Sequence, residues 1–290
     1  MITKKIKEKH KFNYILRMRV DVASYNDVTK RVIEWIKLPR SRYICLANVH
    51  MCMETYDDNN FLKVVNHADL VLPDGKPIVW ALQRLGNECV SQVRGTDLFT
   101  ILCREAEKQD ATIGLYGGTK HCLRDINTYL NNQFPALQTV TSISPPIRNL
   151  TDKEDEIYVK QINDSGAHIL LVGLGCPKQE NWMAAHKGRI NCVMIGVGAA
   201  FDFIGGRKKC APRFLQQCGI EWLFRLVNEP LRLWSRYAKH NPRFVWLVLK
   251  QLFAEKNRLE LKTIGKRQKE PKGVIIHEKE ASCIHEKEAS

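Results

Sequence analysis

Most of the motifs that announce a common function are missing from this chain of 290 residues. Its ten cysteines form no CxxC pair, so neither a zinc ribbon nor a thioredoxin-type redox pair is written here. No GxGxxG with an acidic residue about twenty positions on occurs, and no Walker A loop, so two common nucleotide fingerprints are absent. No DxD pair, the usual manganese holder of sugar-nucleotide enzymes, sits at a strand end, and no Ser-His-Asp constellation stands out. No run reaches the roughly 18 apolar residues of a membrane span, and the lysine-rich start lacks the apolar core of a leader. The expectation is a cytoplasmic protein whose scattered cysteines are buried free thiols.

What is present is an uneven distribution of charge. The formal net charge is +14, with hydrophobic residues at 44% and charged ones at 26%. Residues 206–273 hold 17 Lys/Arg against 5 Asp/Glu, and the first eleven residues hold five lysines against one glutamate. The body between is close to neutral. Such a distribution points to an anionic surface or ligand met by the C-terminal part.

Hydrophobic periodicity then orders the chain. Residues 1–12 read as a flexible basic arm, 14–22 as a strand and 27–36 as a helix started at Ser24 or Asn26. A buried strand over 42–48 precedes helical stretches at 49–56 and 61–67 and a short strand at Leu70–Leu72. Helices are expected over 78–85 and 96–108. From 111 the pattern is regular, with strands at 111–116, 139–143, 168–172 and 191–195 separated by helices. Strand–helix alternation with glycine turns after the strands means an α/β, Rossmann-like, mostly parallel sheet with helices on both faces, spanning 13–206. Beyond Arg207 a basic amphipathic helical appendage over 207–261 is expected, interrupted at Pro230 and again at Pro242. Composition makes 262–290 a disordered tail. It carries the direct repeat His-Glu-Lys-Glu-Ala-Ser, for which the sequence offers no functional account.

Chemistry is expected at the strand ends. Asn66-His-Ala-Asp-Leu-Val-Leu-Pro-Asp-Gly75 stops a strand at Pro73-Asp74-Gly75, where an α/β fold places a reactive side chain; a plain tight turn is the alternative. The turns Gly117-Gly118, Gly173/Gly175 and Gly196/Gly198 would let a phosphate approach helix amides, or would serve tight packing alone. Pro177, near the first helical position, starts the next helix and would aim Lys178 and Gln179 at the crevice, unless Lys178 is a solvated first-turn residue. Small residues before Asp202 leave room for a ring or ribose, although Asp202 would equally serve as a cap. His50, Cys52 and Glu54 stand at i, i+2 and i+4 and do not share one helical face, so no metal site is expected.

Taken together, Ala47-Asn-Val-His50, the stretch from Asn66 to Gly75, Val93-Arg-Gly-Thr-Asp97, Gly173-Leu-Gly-Cys-Pro-Lys-Gln-Glu180, Gly196-Val-Gly-Ala-Ala-Phe-Asp202, Ala211-Pro212 and Glu221-Trp-Leu-Phe-Arg-Leu-Val-Asn-Glu-Pro230 resemble the WecG/TagA/CpsF family of bacterial glycosyltransferases, glycosyltransferase family 26. The resemblance runs from about residue 14 to about 253. It implies inverting transfer of a sugar from a UDP-sugar to a polyprenyl-diphosphate-linked saccharide in cell-surface polysaccharide synthesis, such as teichoic-acid linkage units or exopolysaccharide. It places the catalytic base on Asp74, a polar partner on Asn48 and an active-site glutamine on Gln179, with no metal and no cofactor. It also implies an appendage that meets the inner face of the membrane and closes over the site with arginines, here Arg225, Arg232 and Arg236. Contact with lipid headgroups alone is the other reading of those three. Leu46 and Gln92 depart from the Thr and Arg common in the family, leaving Arg94 as a substitute; an N-acetylmannosaminyl- or glucosyl-type donor is expected. Against this stand a nucleotide-binding oxidoreductase on the same fold, a non-catalytic relative, and a nucleic-acid binder, the last disfavoured because the cations alternate with Trp, Leu and Val. A homo-oligomer is compatible with the sequence.

Overall fold

Six parallel strands make the central sheet, in the order β4-β3-β8-β7-β5-β6. The computed structural model describes residues 11–267 apart from Pro39, Glu88 and Cys89. Of the arm expected over 1–12 and the tail expected over 262–290, residues 1–10 and 268–290 lie outside the described residues, whereas Phe12 already opens a strand and 262–267 are helical rather than disordered. The strands are β3 (Arg42–Ala47), β4 (Leu70–Pro73), β5 (Ile113–Gly117), β6 (Thr139–Ile143), β7 (Ile169–Gly173) and β8 (Val193–Gly196). Both faces are buried, as a parallel sheet requires. Ile44 and Leu46 of β3, Ile169 and Leu171 of β7, and Val193 and Ile195 of β8 join one apolar cluster. Their alternates Tyr43, Cys45, Leu170, Val172 and Met194 are equally buried.

The helices follow from local chemistry. Helix α1 (Tyr25–Ile36) starts at Ser24, whose side chain accepts from the Asp27 amide while Asp27 returns the bond, a capping box. On the face of that cluster it joins α5 (Gly95–Lys108), α6 (Lys120–Gln133) and the short α9 (Ala200–Ile204). Helices α2 (Val49–Asp57), α3 (Asn59–Asn66), α4 (Lys76–Arg84), α7 (Asp152–Asp164) and α8 (Lys178–Ala185) complete the alternation. Pro177 is the cap residue of α8 and lies just outside it.

Three expectations change. The strand at 14–22 is an antiparallel hairpin, β1 (Phe12–Ile15) and β2 (Met18–Asp21), separate from the main sheet. The reversal is local: Leu16 takes φ of 56°, a left-handed turn that no alternation pattern shows. The amphipathic run at 214–226 is two helices, α10 (Arg213–Gln217) and α11 (Glu221–Asn228), parted at Gly219 with φ of 76°. Pro242 does not break the chain but lies inside α12 (Pro230–Arg267). The missing N–H costs about 3 kcal/mol or more. Burial of Leu233, His240, Phe244 and Val248 around it holds the helix together.

The described residues fall into two compact units, one ending at Lys250 and one beginning at Gln251. No helix among them is long and apolar enough to cross a membrane. Five of the described cysteines are buried, but Cys210 and Cys218 are exposed, against the expectation of buried thiols throughout. Both sit in the short helices and turns after residue 206, where no sheet covers them.

Candidate active site

The end of β4 is held against the end of β3 by backbone bonds. The Asp74 and Gly75 amides both donate to the Ala47 carbonyl, at 2.9 and 3.1 Å. The Gln92 side chain donates to the Asp74 carbonyl, and the Val93 amide to that of Pro73 at 2.8 Å. Pinned in this way, Asp74 turns its carboxylate to the start of α5, where Oδ1 accepts from the Gly95 amide at 3.2 Å. Burial raises the Asp74 carboxyl from 3.8 to about 6, with the charge of Glu221 adding to it. The Gly95 amide, Arg225 and Arg94 pull the other way. A carboxylate poised near 6 is still ionised at neutral pH and is a far better proton acceptor than one at 4.

Asn48 follows β3 and caps α2, its side-chain oxygen accepting from the Met51 amide at 3.1 Å. That bond uses the oxygen and leaves the amide nitrogen for the cavity it lines. Arg94 is tied to Asp97 at 3.1 Å and to the Gln216 side chain, and it lies 3.9 Å from Glu221. Its backbone amide donates to the Tyr25 hydroxyl at 2.8 Å.

Beneath the cavity lies a floor built from glycines and one amide. Gln179, 4% exposed, accepts from the Gly175 amide at 3.3 Å and donates through Nε2 to Glu180 Oε1 at 2.7 Å. A Cβ on Gly196 would stand 2.9 Å from that Nε2, and one on Gly173 2.5 Å from the Phe201 ring. Glu180 is fully buried, and burial raises it from 4.5 to about 7 against the pull of the Gln179 bond.

The cavity above this floor has a volume of about 610 Å³. Asn48, Asp74, Arg94, Gly118, Gly173, Gly175, Gln179, Gly198 and Asp202 line it, all from the carboxyl ends of strands or the turns and helices that follow. Arg225 of α11 and Arg232 and Arg236 of α12 also line it, with Trp222 and Tyr237. Arg225 lies over the Phe203 ring at 5.3 Å, with its Nε unpartnered. Arg232 pairs with Glu229 at 2.6 Å. Burial, then the Arg232 charge, lowers Arg236 from its ordinary value. The half-buried Asp74 thus shares a cavity with four arginines, Lys76 and two further carboxylates, Asp202 and Glu221.

Comparison with known proteins shows the family of the chain. Residues 13–258 match the glycosyl transferase WecG/TagA/CpsF family. The chain belongs to that family. Similar relatives are named N-acetylglucosaminyldiphosphoundecaprenol N-acetyl-beta-D-mannosaminyltransferase. The one from Bacillus spizizenii is 28% identical over 212 residues, 73% of this chain and 80% of the relative. The Bacillus subtilis one is 27% identical over 216 residues, 74% and 80%, and that of Staphylococcus aureus strain MW2 is 26% identical over 211, 72% and 80%. The glycosyl transferase reading thereby stands ahead of the oxidoreductase on the same fold.

Within this glycosyl transferase two residues named from sequence lie elsewhere. Lys178 is exposed and donates to the Ile147 carbonyl at 3.2 Å, outside the cavity lining. Gly117 is also outside it; its φ of 115° and a would-be Cβ 2.6 Å from the Gly173 carbonyl mark strand-end packing. Asp202 caps nothing and pairs with Lys208 at 2.6 Å. Glu221, Trp222, Tyr237, His50 and His240 line the cavity without having been singled out for it. Glu221 and Trp222 carried a signal as the start of the block ending at Pro230, and His50 as the end of the block Ala47-Asn-Val-His50. Cys52 sits against the Ile15 carbonyl, apart from His50 and Glu54, which do approach each other at 3.7 Å.

Proposed function

We propose that the protein is an inverting hexosyltransferase that moves an N-acetylmannosaminyl- or glucosyl-type sugar from a UDP-sugar to a polyprenyl-diphosphate-linked saccharide in cell-surface polysaccharide synthesis. The observation that carries this is Asp74, its carboxyl raised to about 6, lining one cavity with Arg225, Arg232 and Arg236 at the carboxyl edge of the sheet. The relatives' names, which specify a diphosphoundecaprenol-linked sugar, support the acceptor class.

Asp74 takes the proton of the acceptor hydroxyl as that oxygen attacks the anomeric carbon from the face opposite UDP. The bond to the UDP oxygen breaks and its electrons pass to the diphosphate. Cations and amides already in place meet that charge without reorganising, which is where most of the rate would come from. Arg225 and Arg236 are the cations with least competing pairing, and Gly118, Gly173, Gly175 and Gly198 leave backbone open to the cavity. Asn48 and Arg94 orient the acceptor, Gln179 shapes the floor, and Asp202 lies beside the nucleoside. No metal is assigned to the diphosphate and no cofactor to the reaction.

Residues 207–261 act as a basic appendage on the catalytic body at 13–206 and bring the enzyme to the inner face of the membrane. Val227, Leu231, Trp234 and Trp246 are 62–98% exposed among Arg213, Lys239 and Lys250, a surface suited to an anionic interface with Trp at headgroup depth.

The test is UDP release from a panel of UDP-sugars on a short-chain polyprenyl-diphosphate saccharide, with no magnesium or manganese added. Acceptor-dependent release from one donor is expected. A folded chain that binds no UDP would overturn the reading.

A further inference from the structure

Helix α2 places His50 and Glu54 one turn apart on the same side, and α12 brings His240 against them. His50 Nδ1 stands 3.7 Å from Glu54 Oε1, and His240 Nε2 stands 3.8 Å from the same oxygen. One ligand atom from each residue lies within 4.8 Å of the others, the one such trio among the described residues. These separations are too long for hydrogen bonds. The two distances to Glu54 are a few tenths of an ångström above the roughly 3.3 Å between ligands of a tetrahedral zinc ion with bonds of about 2.0–2.1 Å, so the trio must draw in to hold one.

Two further observations point to an occupant. His50 Nδ1 is buried and has no hydrogen-bond partner, and the Cys176 backbone lies beside the ring. A neutral imidazole nitrogen left without a partner offers its lone pair to a metal. His240 is 4% exposed, and its Nε2 faces Glu54.

We propose that His50, Glu54 and His240 hold a zinc-type divalent cation that fastens α12 to α2 beside the cavity. The donor set is two imidazoles and one carboxylate, which suits zinc; magnesium and calcium require several oxygens. Arg236, Lys239 and Arg243 also face the cluster, with Arg243 paired to Asp57 at 2.7 Å, so a cation held by charge alone is disfavoured there. The consequence is positional. Asn48 starts α2, while Arg232 and Arg236 sit on α12, so the clip sets the arginine wall against Asp74. It leaves the chemistry of the diphosphate untouched.

The experiment uses the full chain freed of metal by a chelating resin. Zinc is titrated against a chromophoric chelator, and cobalt is then substituted to read its visible bands. One equivalent per chain is expected, with tetrahedral cobalt bands and no intense thiolate charge-transfer band. Loss of a ligand should weaken binding by at least the roughly 10–100-fold that loss of a second-shell partner costs, in His50→Ala and His240→Ala alike. Glu54→Gln should also weaken it, and zinc should raise the melting midpoint of the native chain but not of His240→Ala. Thiolate bands, undiminished binding in the two histidine variants, or no stoichiometric zinc on the native chain would each overturn the proposal, whether or not sugar transfer is observed.

Discussion

Gln179 and Glu180, neighbours in the chain, hydrogen-bond side chain to side chain at 2.7 Å under the cavity floor. The pair explains why a carboxyl is retained in the core: it fixes which way the Gln179 amide faces, with its oxygen toward the Gly175 amide. The cost is a carboxyl raised to about 7 by burial. A group raised in the fold favours folding while protonated, fully below about 4.5, and that contribution is lost as pH rises through 7.

Glu180→Gln should therefore melt at a higher temperature than the native chain at pH 8, by the equivalent of roughly 1–3 kcal/mol. The difference should shrink toward pH 5. The new side chain's oxygen can still accept from Gln179, so the floor is kept. Calorimetry at the two pH values checks this; a constant difference would mean that ionisation of Glu180 is not the cause.

Asp74→Asn should lower kcat by about 10²–10⁴-fold while leaving the affinity for UDP within a few-fold. In the native enzyme the rate should rise with pH through about 6, the value to which burial lifts this carboxyl. Lost UDP binding in the variant would move Asp74 from the acceptor to the donor.

Among the arginines, Arg225→Ala and Arg236→Ala should each cost roughly 10²-fold in kcat, with KM for the acceptor changing less. Arg232→Ala should cost less, because Arg232 is half exposed and already paired with Glu229. Steady-state kinetics distinguishes this from headgroup contact alone, which would weaken vesicle binding equally for all three and spare kcat on a short-chain acceptor.

The glycines of one motif should separate by mechanism. Gly173→Ala drives a Cβ to 2.5 Å from the Phe201 ring and should destabilise by about 1–3 kcal/mol through overpacking. Gly175→Ala meets nothing within 4 Å and carries only its left-handed backbone, φ of 82°, worth about 1–2 kcal/mol. The crossover is therefore expected in repair. Phe201→Leu should relieve Gly173→Ala and leave Gly175→Ala unchanged in denaturant unfolding.

The sequence by itself determined the alternation of strands and helices and the place of Asp74 just after a strand end, where the proposed chemistry is put. These are local properties: burial on both faces writes continuous apolar runs, and turns need glycine, proline and aspartate at fixed places. Where a local pattern met a competing term, it misled. Pro242 looked like a break because a proline's cost is local, whereas the burial of Phe244 and Val248 that holds the helix is tertiary. Lys178 shared a motif with Gln179, but adjacent helical residues lie about 100° apart, so one reaches the Ile147 carbonyl and the other the floor. The resemblance named Arg236, but only tertiary structure put it in one cavity with Asp74 and brought His240 against His50, residues far apart in the chain. Charge, burial and distance in that cavity come from the packing, and no spacing within a single helix could have announced them.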